Sequence, residues 1–107
     1  SALLEKNDLT VQPEIFSPDN DGFDDYTEIF CMFSDLENRL SLSVYTSQGL
    51  LVRKLKDNVL CGSEMYSVWD GTDDNGNLVT PGLYVVKVTF WNHQGKRWNK
   101  QKVVGVK

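Results

Sequence analysis

Apolar and polar residues alternate with period two along most of the chain, and no segment holds a 3.6-residue apolar period for three turns. "TEIFCMF" sets Thr27, Ile29, Cys31 and Phe33 against Glu28, Phe30 and Met32. "RLSLSVY" turns Leu40, Leu42 and Val44 inward, with Ser41 and Ser43 outward. "GLYVVKVTFW" opposes Tyr84, Val86, Val88 and Phe90 to Val85, Lys87, Thr89 and Trp91. "LTVQPEI" brings Leu9, Val11 and Ile15 toward one face, and Pro13 marks an edge or a bulge. "LLVRKL", "EMYSVWDG" and "KRWNKQKVVGV" supply the other strands, with hairpin turns at "TSQG" and "NHQG". About seven strands at turn spacings of roughly ten residues predict an all-β fold, an immunoglobulin-like β-sandwich of antiparallel strands. A single domain is expected over 9–107, with 1–8 a tail or linker. The spacing of cysteine and tryptophan in an antibody-type domain is missing.

The chain has 107 residues, of which 40% are hydrophobic, enough for one core. No apolar run reaches the ~18–20 residues of a membrane span, and no signal peptide is present. The start, "SALLEKND", reads as a piece cut from a longer protein whose targeting segment lies elsewhere. The net charge of -4 conceals an asymmetry. Ten Asp/Glu and one Lys precede Arg39, whereas six Lys/Arg and no acid lie between Lys87 and Lys107. Lys96, Arg97, Lys100 and Lys102 concentrate this charge on the last strand. Either they keep a solvated sheet edge soluble, or they form a docking surface for an acidic partner. Nucleic acid is not expected, because the chain is acidic and lacks basic residues interleaved with base-stacking aromatics.

"FSPDNDGFDDYTEI", Phe16 to Ile29, crowds four Asp into one turn before a strand. With Gly22 at the sharp-turn position of a calcium loop, Ser17, Asp19 and Asp21 fall at positions one, three and five. The Phe23 carbonyl, Asp25 and Glu28 then fall at seven, nine and twelve. Calcium, a hard cation with oxygen ligands, suits such a set better than magnesium. Two features depart from the pattern: Ser17 stands where Asp is usual, and the flanks are strands. Asp and Asn in turns also accept bonds from the backbone two residues on, which explains the same stretch without an ion. No cofactor is required, and calcium is the candidate occupant.

A second acidic turn, "WDGTDDNGN", reads as structural, with Trp69 anchored in the core and Asn75-Gly76 making the turn. Its Asp73 and Asp74 are placed to approach the first loop and share its ion. Cys31 and Cys61 have no CxxC spacing and one histidine, His93, for company, so structural zinc is not expected. Two readings stay open for them: buried free thiols, or a single disulfide if the domain is exported.

"FSPDNDGFDDYTEI", "VYTSQGLLVRKL" and "WDGTDDNGNLVTPGLYVVKV" occur in an order and spacing that resembles a known family. It is the immunoglobulin-like domain at the end of gliding-motility-associated and lamin-tail surface proteins of outer-membraned bacteria. The Ig-like domain of the flagellar hook-capping protein is a more distant look-alike. Asn20 stands where Gly is usual in that pattern. The resemblance implies a β-sandwich at the C-terminus of an exported or cell-surface parent, some relatives serving as sorting signals for type IX secretion. Its partners would be export or anchoring machinery of the outer membrane and other domains of the parent. It carries no catalytic residue onto this chain.

An enzyme is not expected: His93 falls in a hairpin turn, and the Asp residues share one turn instead of flanking a cleft. The expectation is a non-catalytic structural cap that also acts as a sorting or anchoring signal. The alternative is a carbohydrate-binding or adhesive module that stacks sugars on Trp91, Trp98, Tyr66 or Phe30. Against that alternative, Trp91 and Trp98 are expected to pack on each other across the final hairpin.

Overall fold

The computed structural model describes residues 8–107. Eight strands follow one another: β1 (Asp8–Gln12), β2 (Ile15–Phe16), β3 (Thr27–Met32), β4 (Asn38–Thr46), β5 (Leu51–Cys61), β6 (Glu64–Trp69), β7 (Gly82–Asn92) and β8 (Arg97–Val106). They form a three-stranded sheet, β1-β3-β6, and a five-stranded sheet, β2-β8-β7-β4-β5. The two sheets make a sandwich of immunoglobulin-like type. Of the tail expected over 1–8, Asp8 opens β1 and the rest lies outside the described residues.

The eighth strand comes from "LTVQPEI", which is two elements. β1 runs antiparallel to β3, and the chain then crosses at Pro13, which has no N–H to continue a ladder. β2 joins the other sheet, where Ile15 and Phe16 pair in parallel with Gly105 and Val106. Changing sheets resets the alternation. Phe16 is buried, whereas Ile15 is 55% exposed and lies against Gly105 instead of sharing a face with Leu9 and Val11.

Elsewhere the period-two pattern becomes the core directly. Leu9, Val11, Ile29, Cys31, Phe33 and Met65 face inward from the smaller sheet. Leu40, Leu42, Val44, Val86, Val88, Phe90 and Val104 meet them from the larger one. Phe33 and Phe90 touch across the interior, ring centroids 4.6 Å apart.

Trp69 closes the opposite end. It is fully buried, edge-on to Phe16 at 5.6 Å and to Tyr84 at 5.5 Å. Its indole Nε1–H donates to the Thr72 carbonyl at 2.9 Å, so its polar atom is satisfied inside. Gly71 follows at φ +82°, and a Cβ there would sit 2.9 Å from Pro18 Cγ. Trp69→Ala is expected to cost about 3–5 kcal/mol by opening a cavity between the sheets. Trp69→Phe should cost less, because it keeps part of the ring and loses the Nε1 bond. Denaturant unfolding of the three proteins checks this order, and equal midpoints for Trp69→Ala and the parent would refute it.

Candidate functional site

The acidic turn joins β2 to β3 and is built from its own hydrogen bonds. At its base the Ser17 N–H donates to the Asp24 carbonyl, and the Asp19 N–H to the Ser17 carbonyl, both at 2.8 Å. Inside it, Asp25 accepts from the Gly22 N–H at 2.8 Å and the Asp21 N–H at 3.3 Å. Asp21 accepts from the Phe23 N–H at 2.8 Å, and Asp19 from the Asp21 N–H at 3.3 Å. Asn20, Gly22 and Asp24 take left-handed backbone at φ 61°, 84° and 52°. Asn and Asp tolerate that region because their short polar side chains bond locally, so Asn20 serves where Gly is usual in the pattern.

Three of the six candidate calcium ligands come together. Asp19, Asp21 and Asp25 hold carboxylate oxygens within 4.8 Å of one another. Ser17 takes part through its backbone, and Phe23 is 74% exposed with its N–H turned into the loop. Glu28 lies on β3 between Gln12 and Val68 and outside the carboxylate cluster. Crowding in the loop strips water from Asp19 and raises its carboxyl above the ordinary range. The Asp21 N–H opposes that shift, and the neighbouring Asp21 and Asp25 side chains add to it. Asp73 and Asp74 do not join this group. Asp73 accepts from the Asn75 and Asn77 N–H groups, and Asp74 from the Lys54 N–H, which ties the second acidic turn to β5. Gly76, at φ 83°, closes that turn with an N–H bond to the Asp73 carbonyl at 3.0 Å.

The four bases of the last hairpin do not share one face. Register sets Trp98, Lys100, Lys102 and Val104 opposite Phe90, Val88, Val86 and Tyr84, the inward-facing row of β7. Trp98 and Val104 follow that row into the core, whereas Lys100 and Lys102 are exposed. Lys102 lines a hollow of about 360 Å³ with Thr10, Val11, Gln12 and Glu14. Arg97 has the other parity and lies over the Trp91 ring at 5.9 Å, while Lys96, in the turn, lies over Trp98 at 5.1 Å. β7 pairs with β8 along its whole length, but β2 covers only Gly105 and Val106. Among the described residues no strand pairs with the outer edge of β8 over 97–104, although β1 approaches it near Lys102.

Trp91 and Trp98 do not pack on each other. The register pairs Trp91 with Arg97 and Phe90 with Trp98, so the two indoles take opposite faces of the sheet. Trp98 stacks on Phe90 at 5.1 Å and 12° instead. Two buried asparagines that the sequence pattern did not single out hold this end. Asn92 accepts from the Gln94 and Lys96 N–H groups through Oδ1 and donates to Asp35 at 3.2 Å. Asn38 donates to the Asp35 and Gly62 carbonyls. A polar residue at an inward position was the available signal. Cys31 and Cys61 are free thiols, and burial pushes Cys31 up to about 12 and raises Cys61.

The family model described as "CHU_C Type IX secretion signal domain" matches residues 10–105. No curated protein matches the chain.

If the acidic turn is a hydrogen-bonded device, its carboxylates contribute unequally. Asp25→Ala frees two backbone donors and is expected to lower stability by about 1–2 kcal/mol. Asp19→Asn should leave stability at neutral pH unchanged or higher, since Asn keeps an acceptor oxygen and removes a crowded charge. The sign follows from linkage. An acid whose folded pKa is raised opposes folding once ionised, so stability falls as pH rises from the ordinary Asp value through the raised one. Thermal melts of the parent and Asp19→Asn between about pH 3 and 7 check it. A parent that gains stability from Asp19 ionisation across that window would refute it.

Proposed function

The chain belongs to the type IX secretion signal domain family, and on that premise we propose that it works as a non-catalytic sorting domain of an exported bacterial surface protein. The parent is delivered to the outside of the outer membrane, and this domain caps it and marks it for the export or anchoring machinery. The observation that carries the reading is the family match over nearly the whole sandwich, 10–105. The outer edge of β8, which no other strand pairs with over 97–104 among the described residues, supports a docking role, because unpaired N–H and C=O groups are a template for an added strand. Lys100 and Lys102 border that edge and would set its charge preference.

The test fuses the chain to a reporter in a cell that carries type IX secretion. Lys100→Glu with Lys102→Glu is expected to leave the melt within about 0.5 kcal/mol of the parent, as exposed changes do. Delivery of the reporter to the surface should nevertheless fall. Normal delivery of the folded double variant would leave the lysines as a solubility device and the domain as a spacer.

Calcium, on this reading, is an optional occupant of the Asp19, Asp21 and Asp25 cluster, as the loop already has its own hydrogen bonds. Calcium that binds only the folded state raises stability by linkage. In chelator-treated protein, a melting temperature that climbs with millimolar calcium and not with magnesium supports occupancy. An unchanged one leaves the hydrogen-bonded turn alone.

A further inference from the structure

One row across the outer face of the larger sheet is chemically unlike its neighbours. Register aligns Leu60 on β5, Arg39 on β4, Trp91 on β7 and Arg97 on β8 side by side. Leu60 is 71% exposed, Trp91 is half-buried, and both arginines are exposed. Neither guanidinium is ion-paired among the described residues, where the one salt bridge is Lys54 with Asp57. Arg39 instead donates to the Asn58 carbonyl at 3.2 Å. A cleft of about 340 Å³ opens at the row, lined by Glu37, Arg39, Leu60, Trp91 and His93. Asn38 also lines it, and its Oδ1, in a side chain only 2% exposed, has no hydrogen-bond partner.

We propose that this cleft binds an acidic saccharide, a sugar chain bearing carboxylates. The volume lies at the low end of the ~300–1,000 Å³ of small-ligand sites. Guanidinium groups match carboxylates in a planar, bidentate way. Arg39 lines the cleft beside Trp91, and Arg97 stands next to it, over the Trp91 ring at 5.9 Å. The Glu37 carboxylate accepts bonds from sugar hydroxyls without cancelling two cations. Beyond the cleft the face continues as Ser41, Thr89 and Asn99, and then as Lys87 and Gln101 beside the buried Ser43. Such a strip of hydroxyls, amides and one more cation suits an extended polyanion with hydroxyl groups. A protein partner fits less well, because these central rows hold no apolar cluster for an interface core.

The site shares Arg97 with β8 but uses neither Lys100 nor Lys102, so its failure leaves the sorting reading standing. The test measures binding of the whole chain to polygalacturonate, with dextran as the neutral polymer and polyglutamate as the acidic polypeptide. Polygalacturonate is expected to bind, more weakly as salt rises, and dextran not to bind. Arg39→Gln and Arg97→Gln should each weaken binding about tenfold with an unchanged melt, and Trp91→Ala at least as much. Lys100→Gln with Lys102→Gln, which removes two charges elsewhere against one in each arginine variant, should change it less than about twofold. Absent binding, equal binding of dextran, or an equal loss in the lysine variant would overturn the proposal. Polyglutamate binding as tightly as polygalacturonate, with the same losses in the arginine variants, would replace the saccharide by an acidic protein.

Discussion

The join that the rest of the domain depends on is the seat of Trp69 between the two sheets. Its indole ends β6 in the smaller sheet, while its ring contacts, Phe16 on β2 and Tyr84 on β7, belong to the larger one. The Thr72 carbonyl that accepts its Nε1–H fixes the second acidic turn, and Asp73 and Asp74 then carry that turn onto β5. Tyr84 is held in turn by its hydroxyl, which donates to the Thr80 carbonyl at 2.6 Å. The packing leaves no room beside it: Gly71 tolerates Pro18 only because it lacks a Cβ. Both acidic turns thus hang from one aromatic cluster, and their carboxylates are used mainly to hold backbone.

Much of this was legible because a half-buried strand writes its register into its composition. β3 and β7 alternate cleanly and β4 does so except at Ser43, which is buried between Leu42 and Val44, and their inward residues form the core. What was illegible depends on where a chain changes sheets. Nothing local distinguishes Ile15 from Val11 as an apolar residue near Pro13. The exposure of Ile15 follows from the parallel pairing of β2 with β8, about ninety residues further along the chain. The misplaced indole pair has the same kind of cause. Whether Trp91 meets Trp98 or Arg97 turns on a one-residue difference in register, which the tight turn after Asn92 sets.

The acidic turn separates the spacing of a motif from its geometry. The spacing from Ser17 to Glu28 copies a ligand ladder, but ligation needs oxygens that converge, and convergence is a property of the flanks. Here β3 begins at Thr27, so Glu28 belongs to the pleat in the Gln12–Val68 row. It borders one hollow with Gly22, Asp24 and Asp25 but lies outside the carboxylate cluster. What remains is a loop whose three clustered carboxylates each accept at least one N–H from within the loop. Negative charge is then a cost that the turn carries, visible in the raised Asp19 carboxyl, and the backbone bonds are the return.

The basic hairpin carries the opposite tension, between keeping a strand edge open and keeping it from pairing indiscriminately. An edge that no described strand pairs with over 97–104 is a template for any other edge strand. Inward-pointing charge is one of the standard defences, because a flush second strand would have to bury it. Lys100 and Lys102 occupy that position, opposite Val88 and Val86, with their side chains in water. On the proposed docking role, the same two residues that exclude an apolar strand would admit one whose own side chains bring carboxylates to the gap, since pairing then replaces water around the ammonium groups with an opposite charge. Selectivity at this edge therefore requires no pocket. It requires only that the unsuited partner pay for desolvating two lysines and that the suited one does not, a difference set by charge placement along a single strand.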